Sequence, residues 1–206
     1  MNASIAAVAF VPALALGAVL NALVLRGRGW SSAARIELRY PAVELGTGLL
    51  VAACFARFGV TGRSFVAGFF VSVLVVLSVI DAERRILPNR IVLPAATVVL
   101  AAQIALFPDR TLEWVLAALL ASLALFLALI AYPPGMGMGD VKLALLLGAA
   151  LGRSVADALT IGLVAAAVAG LFVIARGGRR STMPLGPFLA LGSVVALFLG
   201  DSFRLF

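Results

Sequence analysis

The sequence predicts an all-α fold, a polytopic integral membrane helical bundle of about eight transmembrane helices with its N-terminus outside. Three observations predict it. Of 206 residues 64% are hydrophobic and only 12% charged, where a soluble domain carries about twice that charge. The mean hydropathy is +1.17. The apolar residues also fall into long runs separated by short basic interruptions. Crossings of about 20 residues each fill this length and leave no room for a separate soluble domain of about 100 residues. Residues 1–206 therefore read as a single transmembrane domain, and any chemistry lies in or beside the bilayer.

In chain order the apolar runs are 3 to 25, 40 to 56, 64 to 80, 91 to 107, 114 to 132, 141 to 152, 155 to 175 and 185 to 200. The first lacks a basic leader and is followed by Arg26, Arg28, Arg35 and Arg39. It reads as a retained anchor and not as a cleaved signal peptide. The next four are long enough to cross. The run after Gly139 is short, about 21 Å of helix at 1.5 Å per residue, against a hydrocarbon core of about 30 Å. Sidedness favours letting it cross all the same. With the N-terminus outside, Arg26, Arg28, Arg35, Arg39, Arg84, Arg85, Arg90, Lys142, Arg176, Arg179 and Arg180 fall on the cytoplasmic side. Only Arg57, Arg63, Arg110, Arg153 and Arg204 fall opposite. That asymmetry obeys the positive-inside rule.

The net charge of +7 would suggest nucleic acid in a soluble chain. Here the basic residues sit in connections between apolar runs, the pattern of topology signals and contact with membrane lipid, so no nucleic-acid partner is expected. The single cysteine, Cys54, excludes an intrachain disulfide, and its apolar helix suggests a packing role. There is no histidine, so the commonest general base and metal ligand is missing. No cofactor and no metal are expected, and catalysis would fall to carboxylates, hydroxyls or lysine.

Glu37, Glu83, Asp109, Glu113, Asp157 and Asp201 adjoin connections, where solvated charge explains them. Glu44, Asp81 and Asp140 need more. Asp81 is the first charge met after the apolar run Ser64 to Ile80, and Asp140 follows Gly135-Met136-Gly137-Met138-Gly139 at a helix start. Two crossings separate these points, so both carboxylates reach one depth on the cytoplasmic face. Two carboxylates a few ångströms apart cannot both ionise easily, which leaves one as acid and one as base. Such a pair can deprotonate a water that attacks a peptide carbonyl and protonate the leaving amine. The glycines before Asp140 would let the backbone approach a neighbouring helix or an extended substrate strand. The plain structural alternative is an N-cap at Asp140 and a helical pair of Asp81 with Arg84 or Arg85. Glu44, a turn inside the second run, is either a functional group within a span or a buried hydrogen-bonding anchor. Lys142 points to a different helix face from Asp140 and would snorkel or meet substrate.

Taken together, these residues resemble the type IV prepilin peptidase family, membrane aspartyl proteases with a Gly-x-Gly-Asp motif. The matching blocks are Gly137-Met138-Gly139-Asp140-Val141-Lys142-Leu143, Asp81 with Leu87-Pro88-Asn89-Arg90, Arg39-Tyr40-Pro41-Ala42-Val43-Glu44-Leu45, and Met183-Pro184-Leu185-Gly186-Pro187 running on to Gly192. Asn21 is similar to an asparagine of the family's first span. The resemblance implies a leader peptidase of the bacterial plasma membrane with its active site facing the cytoplasm. Its catalytic pair would be Asp81 and Asp140, with Gly137, Gly139, Lys142 and Glu44 binding substrate or supporting. Its partners would be pilin or pseudopilin precursors, cut after a glycine to remove a short basic leader.

One departure is large. Many members carry a cytoplasmic loop with two Cys-x-x-Cys pairs between the first two spans, associated with N-methylation. Here the interval is residues 26–39, without cysteine, and a tetrahedral zinc site needs four such ligands. A short form lacking the zinc-binding cysteine loop is the expectation, which puts methyltransferase activity in doubt. A rival reading, a small proton-coupled transporter, would want an acid at mid-membrane and an inverted repeat, and the sequence offers neither.

Overall fold

A computed structural model describes residues 41–133, 136–176 and 183–200. Every long element among them is helical: α1 (Pro41–Phe58), α2 (Gly62–Arg84), α3 (Asn89–Leu106), α4 (Thr111–Ala131), α5 (Met138–Leu151), α6 (Val155–Ala175) and α7 (Gly186–Leu199). The all-α membrane class is what the apolar runs require, because a backbone in lipid must satisfy its own N–H and C=O groups. Four stretches are long and apolar enough to cross: Gly62–Arg84, Asn89–Leu106, Pro108–Ala131 and Met138–Ala175. Gly186–Leu199 is apolar but shorter. The run 3 to 25 lies outside the described residues, so the expected number of eight crossings is not decided by them.

The chain divides into two compact units, Met1–Val76 and Leu77–Phe206, and α2 runs through the boundary. In the described part of the first unit, α1 ends at Gly59, whose φ of 70° closes the helix in the left-handed conformation glycine tolerates. Phe55 meets Phe65 edge-on at 5.1 Å between ring centres. Cys54 is fully buried, in keeping with packing. The hydroxyls of Thr47 and Ser72 donate back to the carbonyls of Val43 and Gly68, at 2.8 and 2.7 Å, so neither is an orphan.

The second unit is built on α5. This 14-residue helix is buried along most of its length, with Leu143, Leu146, Leu147 and Leu151 at its core. It packs chiefly against α4 and α3, while α6 packs on α7. Small residues set these distances. A Cβ on Gly148 would lie 2.4 Å from the Ala117 carbonyl oxygen, and one on Gly192 would lie 2.2 Å from that of Ala158. Both helix pairs therefore touch at the backbone, the packing that membrane helices use where dispersion replaces the hydrophobic drive. Gln103 of α3 donates to the Ala150 carbonyl at 3.0 Å and ties the far end of α5 in place.

The helix limits differ from the apolar runs in an informative way. α2 continues past Ile80 to Arg84, so Asp81 lies inside its last turn and not beyond its end. α5 begins at Met138, which puts Asp140 within its first turn. Hydropathy marks the lipid-facing length; helices extend past it as long as the backbone can continue.

Candidate active site

Asp81 and Asp140 line one cavity of about 400 Å³, together with Arg85, Ile86, Leu87, Met136, Gly137, Gly139, Met183, Pro184 and Leu185. All belong to the second unit. Both carboxylates are buried, with 5% and 8% of their surface exposed, and they interact electrostatically with each other.

Each aspartate is positioned by a glycine N–H. Gly137 sits just before α5 in an extended conformation, and its N–H donates to Asp140 Oδ2 at 3.0 Å. This is the return half of a capping box, in which a third-position carboxylate reaches back to the residue preceding the helix. The outward half is absent, since glycine has no side chain. Asp81 is held from far along the chain: the Gly186 N–H, at the start of α7, donates to Asp81 Oδ2 at 2.8 Å. A Cβ on Gly186 would lie 2.7 Å from that oxygen, so only glycine lets the end of α7 come this close.

The two glycines of the motif do different work. A Cβ on Gly139 would lie 2.9 Å from Leu87 Cβ, so Gly139 lets the start of α5 press against the connection that follows Asp81. At Gly137 a Cβ would meet only ordinary contacts, 3.7 Å from Asp140 Oδ2, and the useful group is its N–H. Close approach, the expected role of both, belongs to Gly139. Gly135 lies outside the described residues.

Lys142 does not line the cavity; its Nζ donates to Asn89 Oδ1 at 2.8 Å, joining α5 to the start of α3. Glu44 is half-buried in the first turn of α1, in the other unit. Two residues of the site carry a significance that sequence reading missed. Gly186 was visible only as part of a resembling block. Arg85 read as a topology signal or a helical partner of Asp81; its charge does act on Asp81, and it also lines the cavity. Among the described residues no three His, Cys, Asp or Glu side chains come together as a metal site would require.

Fold and site define a class: an α-helical membrane protein whose buried paired aspartates open into one shared cavity. Comparison with known proteins narrows it. The model of the type IV leader peptidase family matches residues 68–175, and that of the bacterial peptidase A24 N-terminal domain matches residues 4–58. A prepilin leader peptidase/N-methyltransferase of Bacillus subtilis (strain 168) is 34% identical over 189 residues, covering 89% of this chain and 75% of that protein. Its namesake in Burkholderia pseudomallei (strain 1026b) is 35% identical over 91% of this chain and 63% of its own length. That of Pseudomonas aeruginosa strain PAO1 is 33% identical, over 89% and 66%. The chain thus spans three quarters of the Bacillus relative but less than two thirds of the other two. No solved structure matches it. The chain belongs to the type IV leader peptidase family.

Proposed function

We propose that this protein is a prepilin leader peptidase, a membrane aspartyl endopeptidase that uses Asp81, Asp140 and a water to remove the short basic leader of pilin or pseudopilin precursors. The observation that carries the reading is the shared cavity, in which two buried aspartates from separate helices face one space. Membership in a leader peptidase family supports the substrate class. The ionised carboxylate takes a proton from water as its oxygen attacks the scissile carbonyl carbon. The protonated carboxyl then gives its proton to the departing amine as the C–N bond breaks. The Gly186 and Gly137 N–H groups keep each carboxylate in one orientation, so that little reorganisation is needed when charge moves.

The excess of basic residues in the connections on one side supports a cavity at the cytoplasmic face of a bacterial plasma membrane, where a precursor's basic leader would be presented. The expected short cytoplasmic loop, residues 26–39, lies outside the described residues. Without paired cysteines there, the reading is a peptidase, with N-methyltransferase activity in doubt. Gly137, Gly139, Lys142 and Glu44 support the site or the substrate and take no proton.

The test is cleavage of a leader-bearing pilin precursor by the full chain in detergent or liposomes. Asp81→Asn and Asp140→Asn are each expected to lower the rate by about 1,000-fold or more while the variants insert and purify like the parent. Cleavage within tenfold of the parent in either variant would remove that aspartate from the reaction.

A further inference from the structure

Arg85 is the one described residue other than glycine with positive φ, at 55°. Its N–H donates to the Asp81 carbonyl at 2.8 Å, closing α2. Helices that end in this left-handed conformation usually do so on glycine, because a Cβ there is crowded. A cytoplasmic topology signal explains nothing about this strain, since the neighbouring Arg84 supplies the same charge from ordinary helix. Backbone strain held at a cavity points to function.

The cavity's charges say which function. Among the described residues that line it, Arg85 is the single cation, beside two carboxylates. Lys142 is engaged outside it, with Asn89. When water adds to a peptide carbonyl, the oxygen gains negative charge in a space that already holds an aspartate anion. A guanidinium stays protonated under all relevant conditions and offers its donors in a planar fork. Arg85 is exposed yet lines the cavity, and a positively charged donor beside a developing oxyanion stabilises it.

We propose that Arg85 is a catalytic residue of this cavity, binding the carbonyl oxygen of the scissile peptide and stabilising the charge that forms on it. The inference rests on the leader-peptidase reading of the same site. Atoms balance without Arg85 changing state: the water oxygen bonds to the carbonyl carbon, the C–N bond breaks, and both protons pass through the aspartates.

The geometry allows a test in which stability and activity move in opposite directions. Arg85→Gly relieves the left-handed strain and is expected to raise the melting temperature by about 2–4 °C while lowering kcat for precursor cleavage about 100-fold, with KM within about twofold. Arg85→Met, which keeps a side chain without the charge, is expected to lose kcat equally, and Arg85→Lys to recover part of it. A kcat within threefold of the parent in both Arg85→Gly and Arg85→Met overturns the proposal, as does a loss carried by KM alone. The parent and Asp81→Asn are measured alongside. If the parent cleaves and Asp81→Asn does not, the peptidase reading stands whatever the Arg85 variants do; a parent that fails to cleave overturns both.

Discussion

The two ends of α5 carry two kinds of carboxylate. Past its C-terminal end, Glu113 is clamped by Arg110, which donates to Oε1 at 2.8 Å and to Oε2 at 3.1 Å, and approached by Arg153 at 3.5 Å. Arg110 also lies over the Trp114 ring, 5.2 Å from its centre. At the N-terminal end, Asp81 and Asp140 are each held by one uncharged backbone N–H and face a common cavity. An acid matched by two guanidinium groups has its charge spoken for and serves as a fastening. Two acids that share a space, with Arg85 as the one cation of its described lining, can pass protons between themselves and a water. The fastening carboxylate and the proposed reactive pair differ in their partners and also in burial, since Glu113 is half-buried and both aspartates are buried.

That contrast can be broken or sharpened experimentally. Loss of either aspartate is the largest effect, as given above. Next comes Gly186→Ala, whose Cβ would crowd Asp81 Oδ2 at 2.7 Å. Displacing a reacting group by a fraction of an ångström to one ångström costs up to about 100-fold, so kcat for precursor cleavage is expected to fall by about that factor with KM unchanged. Gly192→Ala, on the same helix but crowding Ala158 instead, serves as the control. It should lower the melting temperature while each folded molecule keeps its turnover. Equal turnover losses in the two variants would mean that Gly186 acts only through folding.

Gly148→Ala tests the body of α5 between its two ends. Forcing a methyl group to within 2.4 Å of the Ala117 oxygen is an overpacking change, expected to destabilise by about 2 kcal/mol, read as a lowered melting temperature in detergent. The smallest effect is expected at the fastening end. Glu113→Gln keeps the shape but removes the charge that holds Arg110, whose side chain is 20% exposed. With screening allowed for, that loss is about 1 kcal/mol, with precursor cleavage within twofold of the parent. A large activity loss there would erase the distinction between the two ends.

Much of this was legible in the residues alone. The apolar run 64 to 80 anticipated α2, and 155 to 175 coincides with α6, because a backbone in lipid has few alternatives to the helix. The reading that two crossings separate Asp81 from Asp140 brought both to one face, and the structure has both in one cavity. The division of labour between Gly137 and Gly139 was not legible. Both are glycine in a motif, and only the position of Leu87 separates the one that must be small from the one whose N–H matters. The role of Arg85 was hidden for a similar reason. It sits in a run of basic residues that topology already accounts for, and nothing local announces that its backbone turns left-handed.

The sequence by itself determined the membrane class, the helical content and which acids stood out, since these follow from composition and from periodicity along one stretch of chain. Tertiary structure alone decided that an N–H from residue 186 would meet a carboxylate at residue 81, 105 positions away. It also decided that a cation would share their cavity. Such contacts depend on how closely helices pack, and that is set by steric fit between segments that no local pattern links.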